Sequence, residues 1–102
     1  MAVRHAFVMQ LKPGNEAEYK RRHDEVWPEL LELMARDGVH NYSIYRDGLT
    51  LFAYLERDTD PPAGPPTEAV VWRWWESMAP LMETNDDFSP VTRPLEEVFH
   101  VD

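Results

Sequence analysis

Cysteine is missing from all 102 residues, which rules out a disulfide framework and a thiolate zinc site. Any metal would have to be held by histidines and carboxylates, and a reducing compartment suits the chain. Positive charge is scarce. Ten lysines and arginines face nineteen acidic residues, a formal net charge of -9. Binding a phosphate backbone requires a contiguous face of the opposite sign, so this balance argues against nucleic acid as a partner. No apolar run approaches the roughly 18 residues of a membrane span or the core of a signal peptide, so we expect a cytoplasmic protein with no membrane partner. A glycine-rich phosphate loop, a G-x-S-x-G elbow and a dinucleotide fingerprint are also absent. Phosphoryl, acyl and hydride transfer therefore lack their usual motifs. What remains is unassisted acid-base chemistry or plain binding.

The chain, residues 1–102, is expected to form a single domain. At this size about two-thirds of the unfolded surface is buried and little room is left for an enclosed cavity, so pairing with a second copy would help. Residues 3–11 alternate as a sheet strand does, with Val3, His5, Phe7, Met9 and Leu11 on one side. Lys12-Pro13-Gly14 ends that strand. Asn15 with Glu18 resembles a capping box opening a helix that runs to about Asp37, where Gly38 is the expected stop. Pro28 removes an amide donor and clashes with the preceding turn, so a kink or a break into two helices is expected near Trp27. Two strands, 40–45 and 49–56, are joined at Asp47-Gly48, a strong hairpin signal. The four prolines and one glycine of 58–66 exclude regular structure. Thr67 can cap a second helix reaching about Met82, with Val71, Trp74, Trp75, Met78, Leu81 and Met82 at helical spacing. A last strand is expected after Pro94, with Leu95, Val98, Phe99 and Val101 as its apolar members. The order β-α-β-β-α-β predicts a ferredoxin-like α+β domain: an antiparallel four-stranded sheet with helices on one face and the other face open to a dimer or a ligand.

Tyr19, His23 and Trp27 share one stripe of the first helix, and that stripe continues through Leu30, Leu31 and Met34. A titratable imidazole and a phenol thus point toward the side where apolar groups collect. An unperturbed histidine exchanges protons near neutrality, although a lone inward histidine is more often a structural donor than a catalyst. Trp74 and Trp75 are adjacent, so their rings diverge by about 100° and both cannot bury equally in one core. Either can serve as core filler, and flat aromatic faces also suit the C–H surface of a pyranose. Trp72 points elsewhere, toward a surface or interface. His40 and Tyr42 fall on one face of a strand and Asn41 on the other, so the two polar tips suit a hydroxylated ligand or an ordinary cross-strand ladder. The spacing of His5, His23, His40 and His100 matches no metal-ligand motif, and the acidic pairs near Glu29–Glu32 and Glu96–Glu97 read as solvated.

Taken together, the strings RHAFVMQLKPG, EYKRRHDEVWPEL, GVHNYSIY, RWWESM and SPVTRPLEEVFHVD closely resemble the L-rhamnose mutarotase family of sugar 1-epimerases. The likeness covers most of the chain and is specific because the tyrosine, histidine, Trp-Pro, His-Asn-Tyr and Trp-Trp elements occur together in one order. It implies a homodimeric ferredoxin-like α+β fold, of the dimeric α+β barrel type, that interconverts the α and β anomers of L-rhamnose without a cofactor or a metal. It also implies that His23 is the catalytic proton donor and that Tyr19, Tyr42, Trp74 and Trp75 bind the sugar. The chemistry suits those residue types, since opening a pyranose needs a proton delivered to the ring oxygen while one leaves the anomeric hydroxyl. In that scheme His23 supplies the ring-oxygen proton and Tyr19 or a water handles the hydroxyl. The chain departs from the family pattern in its tight Asp47-Gly48 hairpin, its proline-rich 58–66 segment and Trp72. The implied substrate is therefore L-rhamnose or a related 6-deoxyhexose. A cofactorless oxygenase of the dimeric α+β barrel type and a non-catalytic sugar-binding module are the alternatives that fold alone leaves open.

Overall fold

A computed structural model describes residues 2–61 and 63–102 of the protein. Pro62, within the proline-rich segment, lies outside the described residues. The order is β1 (Val3–Gln10), α1 (Glu16–Asp24), α2 (Pro28–Arg36), β2 (Val39–Asp47), β3 (Thr50–Arg57), α3 (Ala69–Met78) and β4 (Arg93–Pro94), with a 3-10 turn at Ala79–Leu81 after α3. The strands form one antiparallel sheet in the order β2-β3-β1-β4. This is the expected α+β arrangement.

The helix break occurs where proline demands it. Pro28 forces the preceding residue into extended backbone, and Trp27 has φ -64 and ψ 133, so α1 ends at Asp24 and α2 begins with Pro28 in its first turn. The break also changes which residues are buried: Leu30 and Leu33 are buried whereas Leu31 is exposed, which corrects the burial expected of Leu31, although it stays on the side of Tyr19, His23 and Met34. Gly38 stops α2 in the left-handed region, at φ +75, and a Cβ there would meet the Asp58 carboxylate at 2.9 Å.

Three terminal details differ from expectation. Asn15 is the N-cap of α1, but its side chain bonds the Lys12 carbonyl, and Glu18 pairs with Arg21 and Arg22 in place of closing a capping box. Asp47 pairs with Thr50, so the hairpin loop is Gly48-Leu49, one residue later than Asp47-Gly48, with Gly48 at φ +61. Glu68, not Thr67, is the N-cap of α3, and α3 proper ends at Met78.

The largest departure is at the C-terminal end. β4 is Arg93–Pro94, paired with Phe7 and Val8, and Leu95 donates its amide to the Ala6 carbonyl. Beyond it Val98, Phe99 and Val101 stand exposed and outside any strand. Their apolar composition reads as a strand, but Pro94 cannot donate to the ladder, and the Leu95 amide makes the last backbone bond to β1.

Alternation along β1 and β3 separates two faces. Met9, Leu11, Leu51 and Ala53 turn inward and pack with Tyr19, Met78, Leu81 and Met82. Leu30, Leu33 and Val70 form a second cluster between α2 and α3, and Trp74 packs against both. On the opposite face of the sheet Phe52 is exposed, with Tyr45 as its cross-strand partner.

Candidate functional site

A cleft opens where α1 and α3 lie over the inward face of the sheet beside β2. One lobe, of about 430 Å³, is lined by Tyr19, His23, Leu30, Tyr42, Ile44 and Trp74 among others. A second, of about 570 Å³, runs under the 64–66 segment and is lined by Phe7, Tyr42, Trp72 and Trp75. Between them lies a throat of about 70 Å³, whose walls include Tyr19, His23, Tyr42, Trp74 and Trp75. All five residues singled out from the sequence therefore line one hollow, and the 430 Å³ lobe beside it suits a small organic ligand.

His23 is half-buried on the last turn of α1. Its Nδ1 lies 3.0 Å from the Tyr19 carbonyl oxygen. A carbonyl can only accept, so the hydrogen sits on Nδ1 and the neutral ring carries its lone pair on Nε2. Nε2 has no hydrogen-bond partner among the described residues. Burial lowers the imidazole pKa below its ordinary 6.5, and the Tyr19 carbonyl only partly opposes this. Neutral imidazole is the resting form at neutral pH.

Aromatic rings hold that imidazole in place. The Tyr19 ring lies 4.3 Å away at 34°, and Trp74 meets it edge-on at 5.4 Å. Trp27 in turn packs edge-on against Trp74 at 5.1 Å. Each contact fits the edge or offset geometry that aromatic quadrupoles favour. Burial pushes the Tyr19 phenol well above its ordinary pKa, so it stays protonated and serves as a hydrogen-bonding group, not as an ionised base. Burial raises the Tyr42 phenol too, although the residue as a whole is 40% exposed.

Tyr42 reaches the cleft through an irregularity that strict alternation does not foresee. His40 pairs with Glu56 and Ser43 with Tyr54, so β2 spends one more residue than β3 between these pairs. The bulge turns Tyr42 to the inward face and leaves His40 and Asn41 on the other side, correcting the reading that put His40 and Tyr42 on one face. His40 contacts Asp58 at 3.0 Å and Glu56 at 3.6 Å, outside the cleft.

Trp72 is not a free surface residue. Its indole N–H donates to the Pro66 carbonyl at 2.9 Å, and its ring packs edge-on against Trp75 at 5.1 Å. It thereby ties the proline-rich segment to α3 as a wall of the second lobe. Met9, Met82, Phe88 and Pro90 also line the throat. Met9 and Met82 read as core from their spacing, and Phe88 and Pro90 sit in a polar stretch with no periodic signal. No group of three or more His, Asp or Glu side chains among the described residues converges as a metal site.

Fold and cleft together define a class: a small α+β protein that offers a neutral imidazole, sheltered phenols and indole walls to a compact polar ligand. The model of the family described as L-rhamnose mutarotase matches residues 4–101. An L-rhamnose mutarotase of Rhizobium johnstonii is 52% identical over 96% of this chain and 95% of its own. One from Bacillus subtilis is 48% identical over 97% and 98%. A crystal structure of an L-rhamnose mutarotase from Formosa agariphila superposes with a TM-score of 0.91 at 43% identity, covering 98% of this chain and 99% of that one. The chain belongs to the L-rhamnose mutarotase family.

Proposed function

We propose that this protein is an isomerase that interconverts the α and β anomers of L-rhamnopyranose, or of a closely related 6-deoxyhexose, by acid/base-assisted ring opening and closure. The observation that carries this reading is the half-buried, neutral His23, with Nε2 open to a cleft walled by Tyr19, Tyr42, Trp74 and Trp75. Ring opening moves one proton off the anomeric hydroxyl and one onto the ring oxygen, and closure on the other face of C1 reverses both. Electrons and carbon atoms stay on the sugar, so the reaction calls for no cofactor. Both oxygens are bonded to C1, within reach of one imidazole. His23 Nε2 takes up the proton released from the anomeric hydroxyl, directly or through a water, and delivers one to the ring oxygen. Tyr19 and Tyr42 hydrogen-bond the sugar hydroxyls, while Trp74 and Trp75 hold its C–H faces.

Saturation-transfer NMR on L-rhamnose, L-fucose and L-mannose, with and without the protein, tests reaction and selectivity together. Faster exchange for L-rhamnose is the expected result. An unchanged exchange rate for all three sugars would overturn the reading and leave a binding module. Consumption of oxygen with a quinol-type aromatic substrate would favour the oxygenase alternative.

We also propose that two copies pair through the face of the sheet that the helices leave bare. Phe52 and Tyr45 are exposed there, and apolar side chains of the 98–101 segment are available to cover them. The expected solution state is a homodimer by light scattering, and Phe52→Arg is expected to yield monomers. The chain lacks cysteine, and no helix among the described residues is long and apolar enough to cross a membrane. Both observations are in keeping with a cytoplasmic location.

A further inference from the structure

We infer that the β2 bulge, held by Asn41 and Glu56, is the device that aims Tyr42 into the cleft, which makes Asn41 and Glu56 positioning residues for the ligand although neither lines the cleft. The inference rests on the functional reading above for its choice of ligand.

The register carries the argument. From the turn end of the hairpin, Arg46 pairs with Leu51 and Ile44 with Ala53, and these strand pairs face the helices. Regular alternation from Ile44 puts Tyr42 on that same inward face. From the other end of the strand, Val39 pairs with Arg57 and His40 with Glu56, and regular alternation from there would put Tyr42 on the outward face. The two halves of β2 are out of phase by one residue, and a one-residue change of register moves every side chain to the opposite face. The extra residue lies between His40 and Ser43, and Asn41 is the one with left-handed backbone, at φ +49. Without the bulge, the cleft would receive the short Asn41 side chain in place of the phenol.

Residue type and contacts fit that task. Asparagine enters the left-handed region more readily than most residues with a Cβ. Its Nδ2 donates to Glu56 Oε1 at 2.9 Å, and the Tyr54 hydroxyl donates to Glu56 Oε2 at 2.8 Å. One carboxylate thus grips the extra residue of β2 and is itself steadied by a neighbour on β3. His40 Nδ1 stands 3.6 Å from the same carboxylate, so two consecutive β2 side chains reach one side of the sheet, as a bulge requires.

Asn41→Ala and Asn41→Gly form the decisive pair. Both remove the amide, but only alanine resists the left-handed backbone. Asn41→Ala is expected to raise KM for L-rhamnose about fivefold above that of Asn41→Gly, with kcat changed by less than about twofold in both. Glu56→Gln, which keeps the shape and drops the charge, is expected to raise KM about threefold. Because the effect runs through Tyr42, Asn41→Ala added to Tyr42→Ala should change KM no further than about twofold. Equal KM values for the alanine and glycine variants, or full additivity with Tyr42→Ala, would overturn the inference. If the native protein leaves sugar anomers unchanged, the functional reading fails and a separate readout judges the bulge. In that case nuclear Overhauser contacts of the Tyr42 ring with Tyr19 and Trp74 should persist in Asn41→Gly and weaken in Asn41→Ala, and undiminished contacts in Asn41→Ala would refute it.

Discussion

Replacing His23 with asparagine separates chemistry from stability in this cleft. The substitution removes Nε2 but keeps a side-chain donor near the Tyr19 carbonyl. Two ring contacts are lost, at 4.3 Å to Tyr19 and 5.4 Å to Trp74. At about 0.5–1.5 kcal/mol each they set a destabilisation on the order of 1–3 kcal/mol. Against a typical domain stability of about 5–15 kcal/mol the variant stays folded at 25 °C. A positioned proton-transfer group contributes about 10²–10⁴-fold in rate. That corresponds to about 2.7–5.4 kcal/mol of barrier. Loss of unfolded protein cannot mimic such a drop.

Saturation transfer between the two anomeric proton signals of L-rhamnose measures the exchange directly, with far-ultraviolet circular dichroism as the check on folding. The pH profile adds a second discriminator. In the proposed mechanism the neutral imidazole starts the cycle, and burial lowers its pKa below 6.5, so kcat/KM should be level through neutrality and fall only on the acid side of 6.5. A folded His23→Asn protein that exchanges anomers at the native rate would refute the assignment. A native rate that falls as pH rises from about 6 to 8 would show instead that imidazolium starts the cycle.

The other expectations concern the frame around the cleft. Leu51 is 1% exposed at the centre of the inward face, and Leu51→Ala is expected to cost about 2–5 kcal/mol in urea unfolding. Trp72→Phe keeps the packing on Trp75 but drops the bond to the Pro66 carbonyl. It should broaden selectivity between L-rhamnose and L-mannose in the exchange assay while shifting Tm by only a few degrees. Hydrogen bonds from Arg21 and Arg22 lower the Glu18 carboxyl to about 2, so the stability it contributes is present above its ordinary range and is lost as pH falls toward 2. Melting curves of native and Glu18→Gln protein should therefore converge as the pH is lowered through that window.

Sequence patterns located most of the fold because the strongest signals are covalent. Pro28 cannot continue a helix, Gly38 tolerates φ +75, and Gly48 opens the hairpin, whatever surrounds them. The cleft residues on helices were legible for a similar reason: Tyr19 and His23 lie one turn apart, and Trp74 and Trp75 sit on adjoining faces of α3. What stayed illegible depends on competition between partners. Glu18 has two arginines within reach and leaves Asn15 without a capping box. Val98 and Phe99 have strand-forming side chains, but backbone bonding to β1 ends with the Leu95 amide. His40 and Tyr42 do not share a face because period-two counting assumes one register, and only the Glu56 carboxylate across the sheet gives Asn41 a reason to break it.

The cleft residues differ in how far they also serve the core. Trp74 packs against both apolar clusters and edge-on against His23 and Trp27, so it joins the β-sheet core to the α2–α3 core. Removing its ring would open a cavity in both clusters and free the imidazole at once. Tyr19 is likewise a buried member of the sheet cluster. His23 and Tyr42 belong to neither cluster, and their polar atoms face the hollow. Under the proposed function the ligand would meet a rigid wall of rings that the fold needs anyway, and two polar groups that belong to neither apolar cluster. Selection on catalysis can therefore act at positions 23 and 42, and on the backbone that aims them, without dismantling the core that holds the wall.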